Sequence, residues 1–253
     1  MIRIENISKT FNGDKVVDDV SASFGQGKVN LVIGASGTGK SVLIKCIIGL
    51  LEPDSGSAFF DEDNFTQGTE RLRQKIRQKV GMLFQNLALF DSKNIEENIQ
   101  FPLDILTNMT QKEKKKQVDF CLDKVSLSGV NKKIPSELSG GMRKRVALAR
   151  AIVNQPAYLF CDEPNSGLDP STAVRIDGLI REISSDDKIT TIVVSHDMNS
   201  VVEIGENILF IHDGKKNWSG TAEGLIKSPS PELNKFICSS KLMRQLVSAS
   251  SLP

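Results

Sequence analysis

Apolar and polar residues alternate along the first part of the chain, as they do in β-strands that bury one face. Residues 1–7 and 16–24 both alternate in this way, and the turn sequence Asn12-Gly13-Asp14 between them predicts a hairpin. Val29–Ile33 (VNLVI) is a mostly apolar run, which is typical of a strand buried on both faces. The beginning of the chain therefore predicts an antiparallel pair followed by a central sheet strand.

The pattern then changes to helices that alternate with short buried strands. An apolar helix is predicted over residues 41–51, a charged helical region over residues 69–154, and another helix over residues 173–184. Further strands are predicted over residues 57–61, 157–161 and 190–194, and a closing hairpin over residues 208–219. Since strands and helices follow one another, we expect a mostly parallel core sheet, and thus an α/β fold with a helical insertion.

A last helix is predicted over residues 232–246, after the break at residues 228–231 (SPSP). Its apolar residues lie on roughly one side: Leu233, Phe236, Ile237, Leu242 and Leu246. This side fits either the helix's own domain or a partner, and the sequence leaves both open.

Composition and charge exclude several classes of protein. Hydrophobic residues make up 39% and charged residues 25%, which excludes wholesale disorder and fibrous structure. The net charge of +1 provides no bulk basic field for holding nucleic acid. The sequence predicts neither a membrane-spanning segment nor a secretory signal. The 4 cysteines lie far apart, without the spacing of a zinc site or disulfide framework, so a reduced cytoplasmic setting is expected.

The strongest chemical signal is the sequence GASGTGKS, which lies between a buried strand and a helix. Glycines allow successive backbone amides to turn toward a phosphate, and the helix N-terminus adds partial positive charge. The candidate phosphate-binding residues are Gly34, Ala35, Ser36, Gly37, Thr38, Gly39, Lys40 and Ser41. Lys40 is expected to reach the β- and γ-phosphates, and Ser41 to coordinate Mg²⁺.

A second signal is the apolar run AYLFC, followed by Asp162 and Glu163. A buried strand carries these acids to the sheet edge at which ligands bind. Asp162 is expected to hold Mg²⁺, and Glu163 to orient and polarise the attacking water.

The third signal is the sequence LSGGMRKRVALARA, a Ser-Gly-Gly turn that opens an amphipathic helix. Ser139 is a good N-cap, and the amides of Gly140 and Gly141 offer a second anion site. A single phosphate group cannot readily bind both the Lys40 loop and the Ser139 turn of the same chain. We therefore expect two chains head to tail, each closing its Ser139 turn over the other's nucleotide; the alternative is an ordinary capped helix.

These motifs resemble those of the ATP-binding cassette (ABC) family, in the family's order, from residue 2 to about residue 228. The resemblance adds Gln85, which would contact Mg²⁺ and couple to a membrane partner, and Asp169, in a loop that would cross the dimer interface. It also adds His196, which would sense the γ-phosphate. The implied function is hydrolysis of MgATP with Lys40, Gln85, Glu163 and His196 at the catalytic centre.

The resemblance also implies an architecture: a P-loop NTPase with a RecA-like core, an antiparallel β subdomain and a helical subdomain. Residues 1–228 would form the ATPase domain, with the helical subdomain at about 86–155, and residues 229–253 a helical tail. The expected partners are a second copy of the chain and integral membrane permease subunits, with no nucleic acid. The expected location is cytoplasmic, peripheral on the inner face of the membrane.

Two positions depart from the family pattern. Phe11 stands where the family usually stacks a Tyr on adenine, and Met142 replaces the usual Gln that ends the signature. Neither change removes a phosphate ligand or the candidate base, so an active ATPase is expected.

Residues 82–92 (MLFQNLALFDS) and 94–102 (NIEENIQFP) resemble the ATPases of Mla-type, MCE-associated lipid transporters, whose signature commonly ends in Met. That resemblance suggests an MCE-domain protein and a small regulatory subunit as further partners. The apolar residues Leu83, Leu87, Leu89 and Phe90 would either receive a permease helix or pack the insertion's own core.

Other functions remain open from the sequence. Within the family, the chain could serve an importer of a polar solute such as an amino acid or ion. Outside transport, it could act in DNA repair, translation or cell-division scaffolding, although a single near-neutral cassette gives this little support. The basic runs over residues 71–79 and 112–116 are interpreted as solvated helix faces, with contact to anionic lipid headgroups as the alternative.

Overall fold

The computed structural model describes residues 1–239. The strands are β1 (Ile2–Phe11), β2 (Asp14–Phe24), β3 (Val29–Ile33), β4 (Ser55–Phe60), β5 (Asp63–Asn64), β6 (Val80–Leu83), β7 (Tyr158–Asp162), β8 (Thr190–Ser195), β9 (Asn207–His212) and β10 (Lys215–Gly220). The helices are α1 (Lys40–Ile47), α2 (Glu70–Arg77), α3 (Ile95–Leu106), α4 (Gln111–Lys124), α5 (Gly140–Ile152), α6 (Pro170–Asp186), α7 (Met198–Ile204), α8 (Ala222–Ile226) and α9 (Pro231–Ile237).

The strands form two sheets. The smaller sheet has the order β2-β1-β4-β5 and is antiparallel, with the β1–β2 hairpin closing at Phe11 and Asp14. The larger sheet has the order β10-β9-β3-β8-β7-β6, in which all neighbours are parallel except the β9–β10 hairpin. The predicted α/β fold with a mostly parallel core sheet is confirmed. The carboxyl ends of β3, β6, β7 and β8 meet along one edge, the place where such sheets bind ligands.

Strand β6 is an element that the sequence pattern missed. It pairs in parallel with β7, from Val80 opposite Tyr158 to Leu83 opposite Cys161. The strand is only four residues long and follows a basic helix, so its own pattern carries little signal. Gly81 lies against the α5 backbone, where a Cβ would be 2.1 Å from the carbonyl oxygen of Ala151. The segment that leads to Gln85 is therefore packed tightly against α5.

Helices α3, α4 and α5 pack together through residues that belong to the same apolar core as β3 and β7. The interpretation of the basic runs as solvated faces is correct for Arg71 and Lys112 but wrong for Lys114. Lys114 is buried and donates to Asp104 at 2.8 Å, which joins α4 to α3. Within residues 1–239, no helix has the length and apolar character needed to cross a bilayer.

Helix α9 folds back on its own domain. Leu233 and Ile237 are fully buried in the main core, and the ring of Phe236 lies 5.4 Å from that of Phe210 on β9. This packing decides between the two interpretations of the apolar side in favour of the helix's own domain. The helix was predicted over residues 232–246, but α9 ends at Ile237, with Cys238 as its C-cap. Leu242 and Leu246, which were predicted to extend the same side, lie outside the described residues.

Candidate functional site

The glycine loop joins the end of β3 to the beginning of α1 and is held close to its neighbours. A Cβ at Gly34 would lie 2.3 Å from the carbonyl oxygen of Ile211. A Cβ at Gly39 would lie 2.2 Å from that of Val16, and Gly39 also has a φ of +92°. Only glycine fits these two positions without a shift of the backbone. Close packing against β9 and against the β1–β2 hairpin therefore restricts the conformation of the loop.

Lys40 fills the inside of this loop. Its Nζ donates to the carbonyl oxygens of Gly34 at 2.9 Å and Ala35 at 2.6 Å, and the residue is only 4% exposed. Burial lowers the pKa of Lys40, while the charges of Glu163 and Asp162 act in the opposite direction. A buried cation within a glycine loop, at the beginning of a helix, matches what a phosphate group requires.

Ser41 and Asp162 bring two oxygen ligands together next to Lys40. The Ser41 hydroxyl donates to Oδ1 of Asp162 at 2.9 Å. Burial raises the pKa of Asp162, and the Ser41 hydrogen bond opposes this rise. Hydroxyl and carboxylate oxygens are the hard ligands that Mg²⁺ takes, so these residues fit the predicted metal ion.

Glu163 lies between two other predicted residues. Oε1 of Glu163 is 3.0 Å from Nδ1 of His196, and Oε2 accepts from Nε2 of Gln85 at 3.3 Å. Glu163 follows β7, His196 follows β8 and Gln85 follows β6, and these strands are neighbours in the sheet. Glu163 has a left-handed backbone with a φ of 48°, which turns the chain sharply after Asp162. The fold therefore brings together these three residues from distant parts of the sequence.

The Ser-Gly-Gly turn forms a separate site. Ser139 caps α5 by accepting from the amide of Met142 at 3.3 Å, and Asp169 caps α6 by accepting from the amide of Thr172 at 3.0 Å. The hydrogen bonds from Ser171 and Thr172 lower the pKa of Asp169. A groove between these helix ends is lined by Ser139, Gly140, Gly141, Arg145, Asp169 and Arg175. As far as residues 1–239 go, no residue of the glycine loop lines this groove.

Phe11 lies at the tip of the β1–β2 hairpin, which also packs against Gly39. Its side chain is 40% exposed, and Nζ of Lys9 lies 5.6 Å from the centre of the ring. An exposed aromatic ring on the same hairpin that contacts the glycine loop can stack on a planar base.

Two cations on α5, the buried Lys144 and the partly buried Arg150, belong to the site but were missed by the sequence analysis. Nζ of Lys144 donates to the carbonyl oxygen of Ser166 at 2.6 Å. The guanidinium of Arg150 donates to the carbonyl oxygens of Leu87 at 2.5 Å and Ala88 at 2.6 Å, both of which have left-handed backbones. Lys144 shares a helix face with the buried residues three, four and seven positions later in α5. This spacing is the sequence signal that could have indicated that Lys144 is buried.

Comparison with known proteins identifies the family. The family model described as "ABC transporter" matches residues 17–166, which is more than half of the chain. The probable ribonucleotide transport ATP-binding protein mkl of Mycobacterium leprae is 36% identical over 236 residues, which cover 93% of this chain and 68% of that protein. The methionine import ATP-binding protein MetN of Clostridium acetobutylicum is 38% identical over 237 residues, covering 94% of this chain and 74% of that protein.

Among solved structures, the dimeric bacterial ABC transporter cassette MJ0796 matches with a TM-score of 0.81 and 30% identity. The match covers 88% of this chain and 99% of that one, and the same cassette is known in a post-hydrolysis state bound to ADP and Pi. The predicted P-loop NTPase fold is confirmed. The protein belongs to the ABC transporter family, as an ATP-binding subunit that hydrolyses ATP.

Proposed function

We propose that this protein is the ATPase subunit of an Mla-type transporter and powers phospholipid movement through a separate permease. The observation that carries the ATPase site is the contact of Glu163 with both Gln85 and His196, beside the Lys40 loop. The lipid class is supported by residues 82–92 and 94–102 and by Met142 at the end of the signature.

In this proposal the glycine loop binds the ATP phosphates. Phe11 stacks on adenine, the loop amides surround the β-phosphate, and Lys40 exchanges its bonds with Gly34 and Ala35 for phosphate oxygens. Ser41, Asp162 and Gln85 would hold Mg²⁺, which neutralises charge on the β- and γ-phosphates when bound. Most of the catalysis is then positioning and stabilisation of charge.

Glu163 acts as the general base. Its carboxylate takes a proton from the water that attacks the γ-phosphorus, as the bond to the β–γ bridging oxygen breaks and ADP leaves. The 3.0 Å contact with His196 and the 3.3 Å contact with Gln85 orient the carboxylate before ATP arrives. His196 then places its ring next to the γ-phosphate.

Two copies of the chain complete each site. The groove around Ser139, Gly140 and Gly141 presents helix amides to an anion but contains no residue of the glycine loop within the described chain. A head-to-tail pair of chains places this groove over the γ-phosphate bound by the other copy, with Asp169 at the interface. The dimeric state of the related cassette MJ0796 supports this arrangement.

The permease would dock in an apolar groove of about 320 Å³ that is lined by residues of β6, α3 and α5. Phe90 and Phe101 form one wall, with ring centres 4.8 Å apart, and Pro102 and Leu106 continue it. Leu83 is buried in the domain core and cannot reach a partner, whereas Leu87 and Leu89 are only partly buried. Docking at this groove would hold the protein on the inner face of the membrane.

The test is purification of the tagged chain from membranes, followed by reconstitution of the complex in phospholipid vesicles. Co-purification of a permease with an MCE-domain protein, and ATP-dependent movement of a fluorescent phospholipid, are the expected results. The same complex with Glu163→Gln serves as the inactive control. If no MCE-domain protein co-purifies and the complex moves no phospholipid, the lipid proposal is wrong.

A second candidate is import of a polar solute, which is favoured by the 38% identity to a methionine import protein. In the same reconstitution, ATP-dependent uptake of labelled methionine without movement of phospholipid would replace the lipid assignment. The proposed ATPase chemistry is common to both candidates.

A further inference from the structure

Asp177 is a buried carboxylate outside all the motifs of the proposed site. It lies in the middle of α6 and is only 2% exposed. Oδ1 of Asp177 accepts a hydrogen bond from Nδ2 of Asn165 at 2.7 Å. A carboxylate that is withdrawn from water in this way requires such donors, because burial without them is costly.

The same amide group links Asp177 to Ser200. Nδ2 of Asn165 also donates to Oγ of Ser200 at 3.0 Å, while Oδ1 of Asn165 finds no partner within residues 1–239. Among the described residues, the orientation of the Asn165 side chain is therefore set by Asp177 and Ser200. Ser200 is itself buried, with 1% exposure, whereas Asn165 is partly exposed.

The Asn165 amide joins two loops that carry catalytic residues. Asn165 lies two residues after Glu163, in a tight turn in which the amide of Ser166 donates to the carbonyl oxygen of Glu163 at 3.2 Å. Ser200 lies four residues after His196, in α7. The direct contact between Glu163 and His196 is thus accompanied by a second connection between the same two loops, from Asn165 to Ser200.

We propose that Asp177 is a positioning residue for ATP hydrolysis, which holds the Glu163 loop and the His196 loop in register through Asn165 and Ser200. This inference rests on the catalytic roles proposed for Glu163 and His196. Without the Asp177 carboxylate, the Asn165 amide loses its strongest acceptor and the loop after Glu163 can rotate. The glycine loop lies on another strand end and keeps its contacts, so binding of ATP should be largely preserved.

The test is the steady-state ATPase activity of the full chain with Asp177→Ala, Asp177→Asn and Ser200→Ala. We expect Asp177→Ala to lower kcat by about tenfold and to change the KM for ATP by less than about twofold. Asp177→Asn keeps the size of the side chain and one acceptor oxygen, so its kcat should be much closer to the native value than that of Asp177→Ala. Glu182→Ala removes an exposed acid from the same helix and is the matched control, for which we expect no change.

A double-mutant cycle with His196→Ala separates positioning from general loss of stability. If Asp177 acts on the contact between Glu163 and His196, Asp177→Ala should lower kcat by less than about threefold in the His196→Ala background. An equal factor in both backgrounds, or native kcat in Asp177→Ala, would overturn the proposal. If Asp177→Ala does not fold, Ser200→Ala provides the same cycle with a smaller change.

The activity of Glu163→Gln distinguishes failure of the positioning role of Asp177 from failure of the proposed catalytic site. An inactive Glu163→Gln together with native kcat in Asp177→Ala rejects the positioning role alone. Native turnover in Glu163→Gln rejects the catalytic assignment, and the inference about Asp177 with it.

Discussion

Nδ1 of His196 lies 3.0 Å from Oε1 of Glu163, although the two residues are 33 positions apart in the chain. They meet because β7 and β8 are parallel neighbours whose carboxyl ends reach the same edge of the sheet. The Glu163 side chain is 15% exposed and that of His196 is 50% exposed. The carboxylate is therefore sheltered, while the ring remains open to a ligand.

Lys40→Ala should abolish both binding of ATP and turnover. The variant removes the only cation that the glycine loop encloses among the described residues, so we expect the affinity for ATP to fall by about 100-fold or more. Titration with a fluorescent ATP analogue measures this. Lys28→Ala, which removes an exposed lysine, should bind like the native protein; native affinity in Lys40→Ala would contradict the assignment.

Two alanine substitutions in the glycine loop should lower the free energy of unfolding by different amounts. Ala at Gly37 needs a left-handed backbone but meets no atom within 4 Å, so we expect a loss of about 1–2 kcal/mol in the free energy of unfolding. Ala at Gly39 also collides with the carbonyl of Val16, so the loss should be roughly 4 kcal/mol or more. Urea unfolding compares the two variants, and equal losses would show that the Val16 contact is unimportant.

Lys144 should make stability depend on pH in the alkaline range. Burial lowers its pKa to about 8, whereas a lysine in the unfolded chain titrates near about 10.4. Between these values the unfolded chain holds a proton that the folded chain lacks, so the free energy of unfolding rises with pH. We expect the native protein to gain stability relative to Lys144→Met between about pH 8 and about pH 10. Urea unfolding of both proteins across this range checks the prediction, and a constant difference would contradict it.

Phe90→Asp should release the permease. The residue forms one wall of the apolar groove, and a carboxylate there would have to be buried by the docked partner. We expect the amount of co-purified permease to fall by more than about tenfold, with no loss of thermal stability in the free chain. Phe120→Asp is the matched control, because Phe120 is 51% exposed on α4 and outside the groove. Retention of the permease by Phe90→Asp would place the docking surface elsewhere.

The central sheet could be predicted from the sequence because its strands are continuous apolar runs. Val29–Ile33 was predicted with the bounds that the structure shows. Strand β7 differs from its prediction by one residue at each end, and β8 by one residue at its C-terminal end. Strand β6 was missed because four residues are too few to show a strand pattern, and the segment is identified as a strand only by its pairing with β7. The division into an ATPase domain over residues 1–228 and a tail over residues 229–253 stays a prediction.

The candidate site could be predicted where chemistry and spacing occur together in one local motif, as around Lys40. The residues that were missed are linked by contacts across the fold. Lys144 meets Ser166, which is 22 positions away, and Arg150 meets Leu87, which is 63 positions away. A basic residue on an amphipathic helix is usually solvated, so the sequence pattern alone gives no reason to expect these two side chains to make internal hydrogen bonds.

Glu163→Gln should separate binding of ATP from hydrolysis. The amide keeps the size of the side chain but cannot accept a proton from water, so turnover should fall by at least about 100-fold while the affinity for ATP changes little. The blocked protein should then accumulate with ATP bound between two chains. Introduction of Gly141→Asp into this variant places a negative charge at the predicted γ-phosphate contact and serves as the matched control for assembly.

Sedimentation of Glu163→Gln with saturating MgATP tests most directly whether two chains enclose the nucleotide. The account predicts a dimer that forms only with MgATP and is lost in Glu163→Gln combined with Gly141→Asp. A Glu163→Gln protein that binds MgATP but stays monomeric, or a dimer that the second substitution leaves intact, would contradict it.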